Sequence, residues 1–396
     1  MLTKLPLEKS GSAGETRNPA DSNGRSATRG RRRRRRRVRF VLGAFVVALI
    51  APAWSFAHAV MVSNGDPFSA NATEWARSHS LGGLVDGVER LWYSHHPPPK
   101  GGAPAGGIAR VAPRHTSVAS RRNVCPSRVP PFASTALAGE GAWLSVGRSA
   151  GSACFAYIRP DAVHTSVLVG VAWMNMSVLT ATLHNGSSVP GGGPWRAGSM
   201  ISASDDGRVA AAFNSGFRLD ASRGGYFTEG RTVQALVNGR ASLVIYSDGH
   251  VDVGVWGRDD TSGVKVSSVR QNLDLIVDGG KLVAGLSDAH SSQWGATLGN
   301  QIYTWRSGVG VDAHHNLIYA AGPGLNVATL AAVLQRAGCI RAMELDINPE
   351  WVSLMTYTGT SPTTIAATKL LPNMQRPADR YLHSNTRDFI ELDIRR

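Results

Sequence analysis

Cysteine is scarce in this chain of 396 residues, which contains three. The three form no Cys-x-x-Cys pair and no Cys/His cluster, so the sequence predicts no structural zinc site, and no cofactor is expected. At most one disulfide can form within the chain. Cys125 and Cys154 flank a short stretch and are the expected pair. Cys339 lies between a helical and an apolar segment and is expected to be a buried small hydrophobic residue.

Charged residues are absent between Arg39 and Asp66. About 18 mostly apolar residues can cross a bilayer as a helix, and the arginine run at 31–37 would hold the N-terminal side in the cytoplasm. Residues 38–59 are therefore predicted to be a transmembrane anchor. The alternative is a signal peptide, because an Ala-His-Ala pattern ends at Ala59. The C-terminal part is exported in both interpretations, either membrane-tethered or secreted.

The basic charge of the chain is concentrated in its N-terminus. The net charge is +14, and residues 1–40 hold 13 Lys/Arg against 3 Asp/Glu, which gives +10 there and leaves +4 elsewhere. A basic tail without interleaved aromatics or a nucleic-acid motif does not indicate nucleic-acid binding. Residues 1–37 are polar, and we expect a disordered cytoplasmic tail.

Regular structure is expected to be sparse from residue 60 to residue 139. Residues 66–92 are loosely helical in pattern. Residues 95–107 contain three consecutive prolines and several glycines, which favour polyproline II and leave no packing face. We interpret residues 60–139 as a poorly structured extracytoplasmic segment that includes a linker.

Short apolar runs separated by turn residues fill residues 140–396. Seven runs are predicted to be strands, at 164–174, 178–186, 241–249, 250–256, 273–283, 307–312 and 316–322. Asp248-Gly249 and Asp278-Gly279-Gly280 are hairpin signals, because these residues tolerate the positive φ of tight turns. Closely spaced strands joined in this way favour antiparallel pairing.

One helix is predicted after residue 325. Asn326 can cap it, and Gly338 can end it in the left-handed conformation. Its apolar positions follow helical spacing, at Val327, Leu330, Ala331 and Leu334. The expected fold is therefore α+β, a mostly antiparallel or mixed sheet with one long packed helix.

Three short motifs follow one another in this region. They are Asn214-Ser215-Gly216-Phe217, Arg306-Ser307-Gly308-Val309-Gly310 and Leu345-Asp346. Their order resembles the phosphodiester glycosidase family, in which the third motif continues into several glycines. The resemblance implies an α+β fold and the cleavage of a sugar 1-phosphodiester.

The third motif departs from the family pattern, because Ile347, Asn348 and Pro349 replace its glycines. Consecutive glycines can turn backbone N–H groups toward an anion, and proline has no N–H. Arg306 is therefore the expected phosphate clamp, since a guanidinium pairs with phosphate oxygens; the alternative is a structural ion pair.

The remaining substrate-binding residues come from the same motifs. Asn214 is expected to orient a sugar hydroxyl, or else to be a turn residue. Gly216 and Ser307 accompany it in the predicted binding site, and Glu350 adds an acid just beyond the last predicted strand.

Glu344 and Asp346 are the expected catalytic carboxylates. They are two residues apart in a predicted strand and would share one face, roughly 6.5 to 7 Å apart. Glycosidases use such paired acids. A solvated acidic edge is the alternative.

The sequence thus predicts an extracytoplasmic hydrolase of a sugar 1-phosphodiester, attached to the membrane by its N-terminal helix. The alternative is a non-catalytic protein of the same fold that binds anionic surface glycans. The expected partner is a sugar phosphodiester or an anionic glycan, and no metal or nucleic acid is expected.

Overall fold

A computed structural model of the chain provides the fold. It describes residues 39, 43, 50–61, 67–108, 125–202, 207–259, 265–288, 293–295, 302–359 and 364–395. Two compact units are present, Met1–Val62 and Ser63–Arg396.

The first unit is described only in part. Residues 50–61 are helical, with Ile50 and Trp54 exposed. The predicted basic tail at 1–37 lies outside the described residues, as do residues 38, 40–42 and 44–49 of the predicted anchor or signal segment at 38–59. Within the described residues, no helix combines the length and apolar character needed to cross a membrane.

The largest sheet of the second unit, sheet I, has eight strands. All its pairings are antiparallel. With labels in chain order, its strands from edge to edge are β1 (Leu144–Val146), β2 (Ala153–Ile158), β3 (Val169–Met174), β14 (Leu317–Leu325), β13 (Thr304–Val311), β15 (Arg341–Glu344), β11 (Leu275–Asp278) and β12 (Lys281–Leu282).

Two five-stranded antiparallel sheets complete the β structure. Sheet II consists of β7 (Arg231–Gln234), β6 (Tyr226–Thr228), β10 (Val266–Gln271), β8 (Ala241–Tyr246) and β9 (Val251–Val255). Sheet III consists of β17 (Ala366–Lys369), β16 (Leu354–Thr358), β5 (Val209–Asn214), β18 (Phe389–Ile394) and β4 (Leu179–His184).

The helices in the described part of the second unit are short. They are α1 (Phe68–Ser78), α2 (Gly82–His95), α3 (Leu219–Ser222), α4 (Val327–Arg336) and a 3₁₀ turn at Arg380–Leu382. In α4 the predicted cap is present, because the Asn326 side chain accepts the Thr329 N–H and the Thr329 hydroxyl accepts the Asn326 N–H. Gly338 follows the helix with φ +108°, as predicted.

Sheet I is buried on both faces. On one face, Phe155, Tyr319 and Met343 pack with apolar residues of sheets II and III. On the other face, Cys154 and Ile318 pack with α4. Strands covered on both sides are nearly continuous apolar runs rather than alternating ones, and all six residues of β2 are buried.

The α+β, mostly antiparallel fold predicted from the sequence is confirmed, with a few short helices in place of one long one. All seven predicted strand segments contain strands of the structure. Asp248-Gly249 connects β8 to β9, and Asp278-Gly279-Gly280 connects β11 to β12. The loosely helical residues 66–92 form the two helices α1 and α2, which we call the α1–α2 hairpin.

The structure contains a disulfide between Cys125 and Cys154, the pair expected from the sequence. Cys339 is a buried free thiol. It lies between α4 and β15, as predicted.

We expect the disulfide to contribute about 3 kcal/mol to the free energy of unfolding, because it closes a loop of intermediate length in the unfolded chain. Urea unfolding of the wild type should shift to lower denaturant when reductant is added. The Cys125→Ser/Cys154→Ala double variant, as the matched control, should be insensitive to reductant. Equal stability of the wild type with and without reductant would contradict this expectation.

Candidate active site

A cavity of about 420 Å³ opens at one end of the sheets. Its walls come from the α1–α2 hairpin, the loop that leads from β5 into α3, the segment that follows β15, and the residue two positions before β18. The charged residues of the wall are Arg77, Asp86, Glu89, Arg218, Asp220, Arg223, Asp346 and Arg387.

Strand pairing explains why these segments meet. Strand β5 ends at Asn214, and the antiparallel strand β18 begins opposite it at Phe389. The chain that leaves β15 continues along β13, where Ser307 donates its N–H to the carbonyl of Asp346 at 2.9 Å. The end of β5, the start of β18 and the end of β15 therefore share one edge of the core. Polar side chains can gather there because the strands no longer pair.

Asp346 is a buried acid on the cavity wall, 3% exposed. Its Oδ1 accepts the backbone N–H of Asn348 at 3.0 Å, and its Oδ2 lies 3.3 Å from Arg387 Nη2. Burial raises the pKa of the Asp346 carboxyl, and the charge of Arg387 offsets part of that rise. A carboxyl with a raised pKa keeps its proton to a higher pH than an exposed aspartate.

Arg387 is the buried cation beside this acid, 5% exposed. Its Nη2 also donates to the Gly216 carbonyl at 3.0 Å, and its guanidinium lies 5.0 Å from the centroid of the Trp351 ring. Its Nε has no hydrogen-bond partner among the described residues. A buried donor without a partner is unfavourable by about 1–3 kcal/mol, so a ligand acceptor that reached Nε would recover this energy.

A buried network supports the cavity from behind. Arg270 donates from Nε to Asp388 Oδ2 at 2.7 Å, and the Ser215 hydroxyl donates to the same oxygen. Arg270 also donates to the carbonyl of Phe217. This network fixes the backbone on both sides of Gly216 and the residue next to Arg387. Arg270, Arg387 and Asp388 were not predicted from the sequence, although Arg387-Asp388 directly before the apolar strand β18 is a visible signal.

Arg306 and Glu344 do not line the cavity. Both are 0% exposed, and Arg306 Nη1 donates to Glu344 Oε1 at 2.5 Å. Arg306 also donates to the carbonyls of Leu325 at 2.9 Å and Ile302 at 3.2 Å. The structure therefore places Arg306 in a structural ion pair, which was the alternative to the expected phosphate clamp.

Glu344 and Asp346 were expected to share one face of a strand, but only Glu344 lies in the strand. Strand β15 ends at Glu344. Glu344 lies opposite Gly308, and a side chain at Gly308 would meet Leu330 and Leu334 of α4. Glu344 is thus inside the core on the α4 side of sheet I, whereas Asp346, past the strand end, reaches the cavity.

Asn214 and Ser307 lie one layer behind the cavity. Asn214 donates to the Ser307 hydroxyl at 3.1 Å and accepts from the Tyr319 hydroxyl at 2.8 Å and the Ser353 N–H at 3.1 Å. The Ser307 Oγ also accepts the Asp346 N–H at 3.2 Å. These bonds hold the backbone of Asp346 in place, and they use the amide of Asn214 that was expected to bind a sugar hydroxyl.

Gly216 and Glu350 contact the site through other groups. Gly216 contributes its carbonyl to Arg387. Glu350 is 8% exposed, and its Oε1 accepts the hydroxyl of Ser69 in α1 at 2.6 Å. Of the residues predicted from sequence, only Asp346 lines the cavity.

Residues 347–349, which stand where the phosphodiester glycosidase pattern has glycines, form a closed turn with their neighbours. The Asn348 N–H is donated to Asp346, and Asn348 Oδ1 accepts the Glu350 N–H at 2.9 Å. These two N–H groups are therefore used within the turn, and Pro349 has none. The cations of the cavity wall that could attract an anion are Arg77, Arg218, Arg223 and Arg387. Across the described parts of the chain, no three His, Cys, Asp or Glu residues are grouped as metal ligands would be.

We expect Arg306→Ala to lower the free energy of unfolding by about 3–5 kcal/mol, because it leaves the buried Glu344 carboxylate without its partner. The matched variant Arg306→Met/Glu344→Gln removes both charges and should be less destabilised. Urea unfolding monitored by tryptophan fluorescence measures both. Wild-type stability in Arg306→Ala, together with loss of phosphodiester binding, would return Arg306 to the role of phosphate clamp.

The sequence matches no family profile and no curated protein. Among solved structures, the catalytic domain of zebrafish N-acetylglucosamine-1-phosphodiester α-N-acetylglucosaminidase, auto-inhibited by its pro-peptide, is similar at 13% identity and a TM-score of 0.40, over 64% of this chain and 88% of that one. A hypothetical protein from Synechocystis is similar at 13% identity and a TM-score of 0.29, over 58% of this chain and 59% of that one.

Proposed function

We propose that this chain is a hydrolase that cleaves a sugar 1-phosphodiester, with Asp346 as the general acid and Arg387 as a phosphate-binding residue. One observation carries the proposal. A buried carboxyl whose pKa is raised lies 3.3 Å from a buried guanidinium that still has an unpartnered N–H, on the wall of a cavity. The motif order that resembles the phosphodiester glycosidases supports a catalytic carboxylate at Asp346, which the sequence predicts as part of an acid/base or electrostatic pair.

Arg387 suits a phosphodiester anion. Guanidinium groups bind phosphate oxygens through paired charge-assisted hydrogen bonds, and these bonds strengthen where water is excluded. Because Trp351 and the Gly216 carbonyl orient Arg387, little side-chain entropy remains to be lost when a ligand binds.

Asp346 suits the proton transfer. When the bond between the anomeric carbon and the phosphate oxygen breaks, its electron pair moves to that oxygen, which takes the Asp346 proton. A water molecule bonds to the oxocarbenium-like carbon and releases a proton to solvent, and the ionised Asp346 is then reprotonated. Arg387 stabilises the negative charge of the departing phosphate monoester.

We expect Asp346→Asn to lower kcat about 10²-fold or more, the contribution typical of a positioned acid. Release of reducing sugar would be measured on a panel of methyl phosphodiesters of glucose, mannose and N-acetylglucosamine 1-phosphates. Because burial raises the pKa of Asp346, wild-type kcat should fall as the pH rises through that raised pKa. The alkaline decline should be absent in Asp346→Asn. The control is Asp379→Asn, which removes an exposed carboxylate elsewhere.

A wild-type kcat that instead rises with pH through this range would contradict an acid role, because it would require the ionised carboxylate. Activity of Asp346→Asn equal to that of the control would remove Asp346 from the mechanism altogether.

Arg387→Ala should raise KM at least tenfold by removing charge-assisted bonds worth about 1.5–3 kcal/mol each. Arg387→Lys should recover only part of the loss, since an ammonium keeps the charge and lacks the paired geometry. If the wild type retains an anionic glycan without releasing sugar, and Arg387→Ala abolishes this retention, the chain is the non-catalytic binder instead.

The proposed location of this hydrolase is extracytoplasmic, on a membrane anchor or secreted. The arginine run ahead of the apolar residues 40–57 supports it. So does the disulfide between Cys125 and Cys154, because disulfides persist in oxidising compartments.

Protease added to intact cells should remove a tag placed after Arg396 and spare a tag placed before Met1 if the anchor is retained. Permeabilised cells, in which both tags should be cut, are the control. A C-terminal tag that survives in intact cells would contradict an exported active site.

A further inference from the structure

Glu89 of α2 is a second acid on the wall of the cavity that contains Asp346. Its Oε1 accepts the side-chain amide of Asn348 at 3.1 Å, and Asp346 Oδ1 accepts the backbone N–H of the same asparagine at 3.0 Å. One residue therefore connects two carboxyl groups that are far apart in the sequence. The structure thus brings to Asp346 an acid partner other than Glu344.

Arg77 of α1 holds the other oxygen of Glu89. The Nη2 of Arg77 lies 3.3 Å from Glu89 Oε2 and 2.7 Å from Asp86 Oδ1. Asp86 also lines the cavity, and it has the shorter contact with the shared guanidinium. Of these two hairpin acids, Glu89 is thus the one that combines a longer ion pair with a hydrogen bond to the turn that follows Asp346.

Burial raises the pKa of the Glu89 carboxyl. The guanidinium of Arg77 offsets part of that rise, and the charges of Asp86 and Asp346 add to it. The pKa of Asp346 is raised by burial as well. Two carboxyl groups in one site lose their protons in sequence, because the charge of the first opposes ionisation of the second. One acid of such a pair is ionised while the other keeps its proton, as a general base and a general acid require.

Exposure decides which of the two acids ionises first. The Glu89 side chain is 24% exposed and the Asp346 side chain 4%, so solvent stabilises a charge on Glu89 more than on Asp346. The cation that favours an ionised Asp346 is Arg387, and a phosphodiester bound to Arg387 would neutralise it. With substrate bound, Glu89 is therefore the base and Asp346 the acid.

The separation of the two carboxyl groups leaves room for a water molecule. They are joined through the backbone N–H and the side-chain amide of Asn348, so a residue lies between them in place of a single hydrogen bond. Inverting glycosidases keep their acid and base about 6.5–9.5 Å apart, because the attacking water must fit between the base and the sugar.

We propose that Glu89 is the second catalytic carboxylate of the cavity and acts as the general base of an inverting hydrolysis. This inference rests on the proposed function for the reaction itself. Glu89 takes a proton from a water molecule while the water oxygen bonds to the anomeric carbon. The electron pair of the breaking bond moves to the phosphate oxygen, which takes the Asp346 proton. Glu89 then releases its proton to solvent, and Asp346 takes one up.

An ionised Glu89 together with a protonated Asp346 predicts a bell-shaped pH profile of kcat. The rate should rise with pH through the raised pKa of Glu89 and fall at higher pH through that of Asp346. In the full-length Glu89→Gln variant, kcat should be about 10²-fold lower, and the acidic limb should be absent while the alkaline limb remains. Asp86→Asn, which removes the other acid paired with Arg77, is the matched comparison and should keep both limbs.

The configuration of the released sugar gives a readout on the unaltered chain. The first anomer that ¹H NMR detects should be the opposite of the substrate anomer, because water attacks from the face opposite the phosphate. Retention of configuration would overturn the base role, since it requires a covalent intermediate. Sodium azide, an anion that needs no base, should restore turnover in Glu89→Ala and give a glycosyl azide of inverted configuration.

The outcomes separate this inference from the proposed function. Wild-type kcat and an intact acidic limb in Glu89→Gln would overturn the base role, and the hydrolase would stay in place if Asp346→Asn is impaired. Loss of the acidic limb in Glu89→Gln with retention of both limbs in Asp86→Asn would support the inference. Absence of sugar release by the wild type on every phosphodiester of the panel would overturn both.

Discussion

The burial of sheet I on both faces is the constraint on which the rest of the second unit depends. Sheets II and III cover one face and α4 covers the other, so the interior strands have no solvated side on which polar residues could be placed. A polar side chain inside sheet I therefore needs a buried partner, as Arg306 and Glu344 provide for each other, and polar groups that face a cavity gather where the strands end. The cavity forms at such an edge, where β5 and β15 end and β18 begins.

Two arginine–carboxylate pairs of the same chemical type differ in whether a ligand can reach them, because they lie at different places in the fold. Arg306 and Glu344 are enclosed in the core, where Arg306 also donates to the carbonyls of Leu325 and Ile302. Such a pair is costly to break and has no access to a ligand. Arg387 and Asp346 are almost as buried, yet they form part of a cavity wall. Burial there perturbs the pKa of the acid, and at a cavity such a perturbation can serve proton transfer.

The α1–α2 hairpin brings opposite charge to this cavity. Glu74 contacts Arg218 and Arg387, and Glu89 contacts Asn348. The hairpin also buries apolar surface, because Ala70 is fully buried and Tyr93 is partly buried, whereas Leu84, Val88 and Trp92 are exposed.

The sequence by itself determined the features that depend on local patterns. Apolar runs separated by Asp-Gly turns predicted strands and hairpins. Asn326 and Gly338 predicted the two ends of α4. The short separation of Cys125 from Cys154 predicted the disulfide. These features follow from backbone preferences and from side-chain periodicity within a few residues, which a single sequence displays directly.

Only the tertiary structure decided which charged residues form the site. Glu344 and Asp346 are two residues apart, yet one lies in the core and the other in the cavity, because β15 ends between them. Arg387 and Glu74 come from distant parts of the chain and meet only through the pairing of β18 with β5 and the docking of α1. The direction of a side chain past a strand end, and the register of strands far apart in sequence, depend on packing across the whole unit, and no local pattern encodes them.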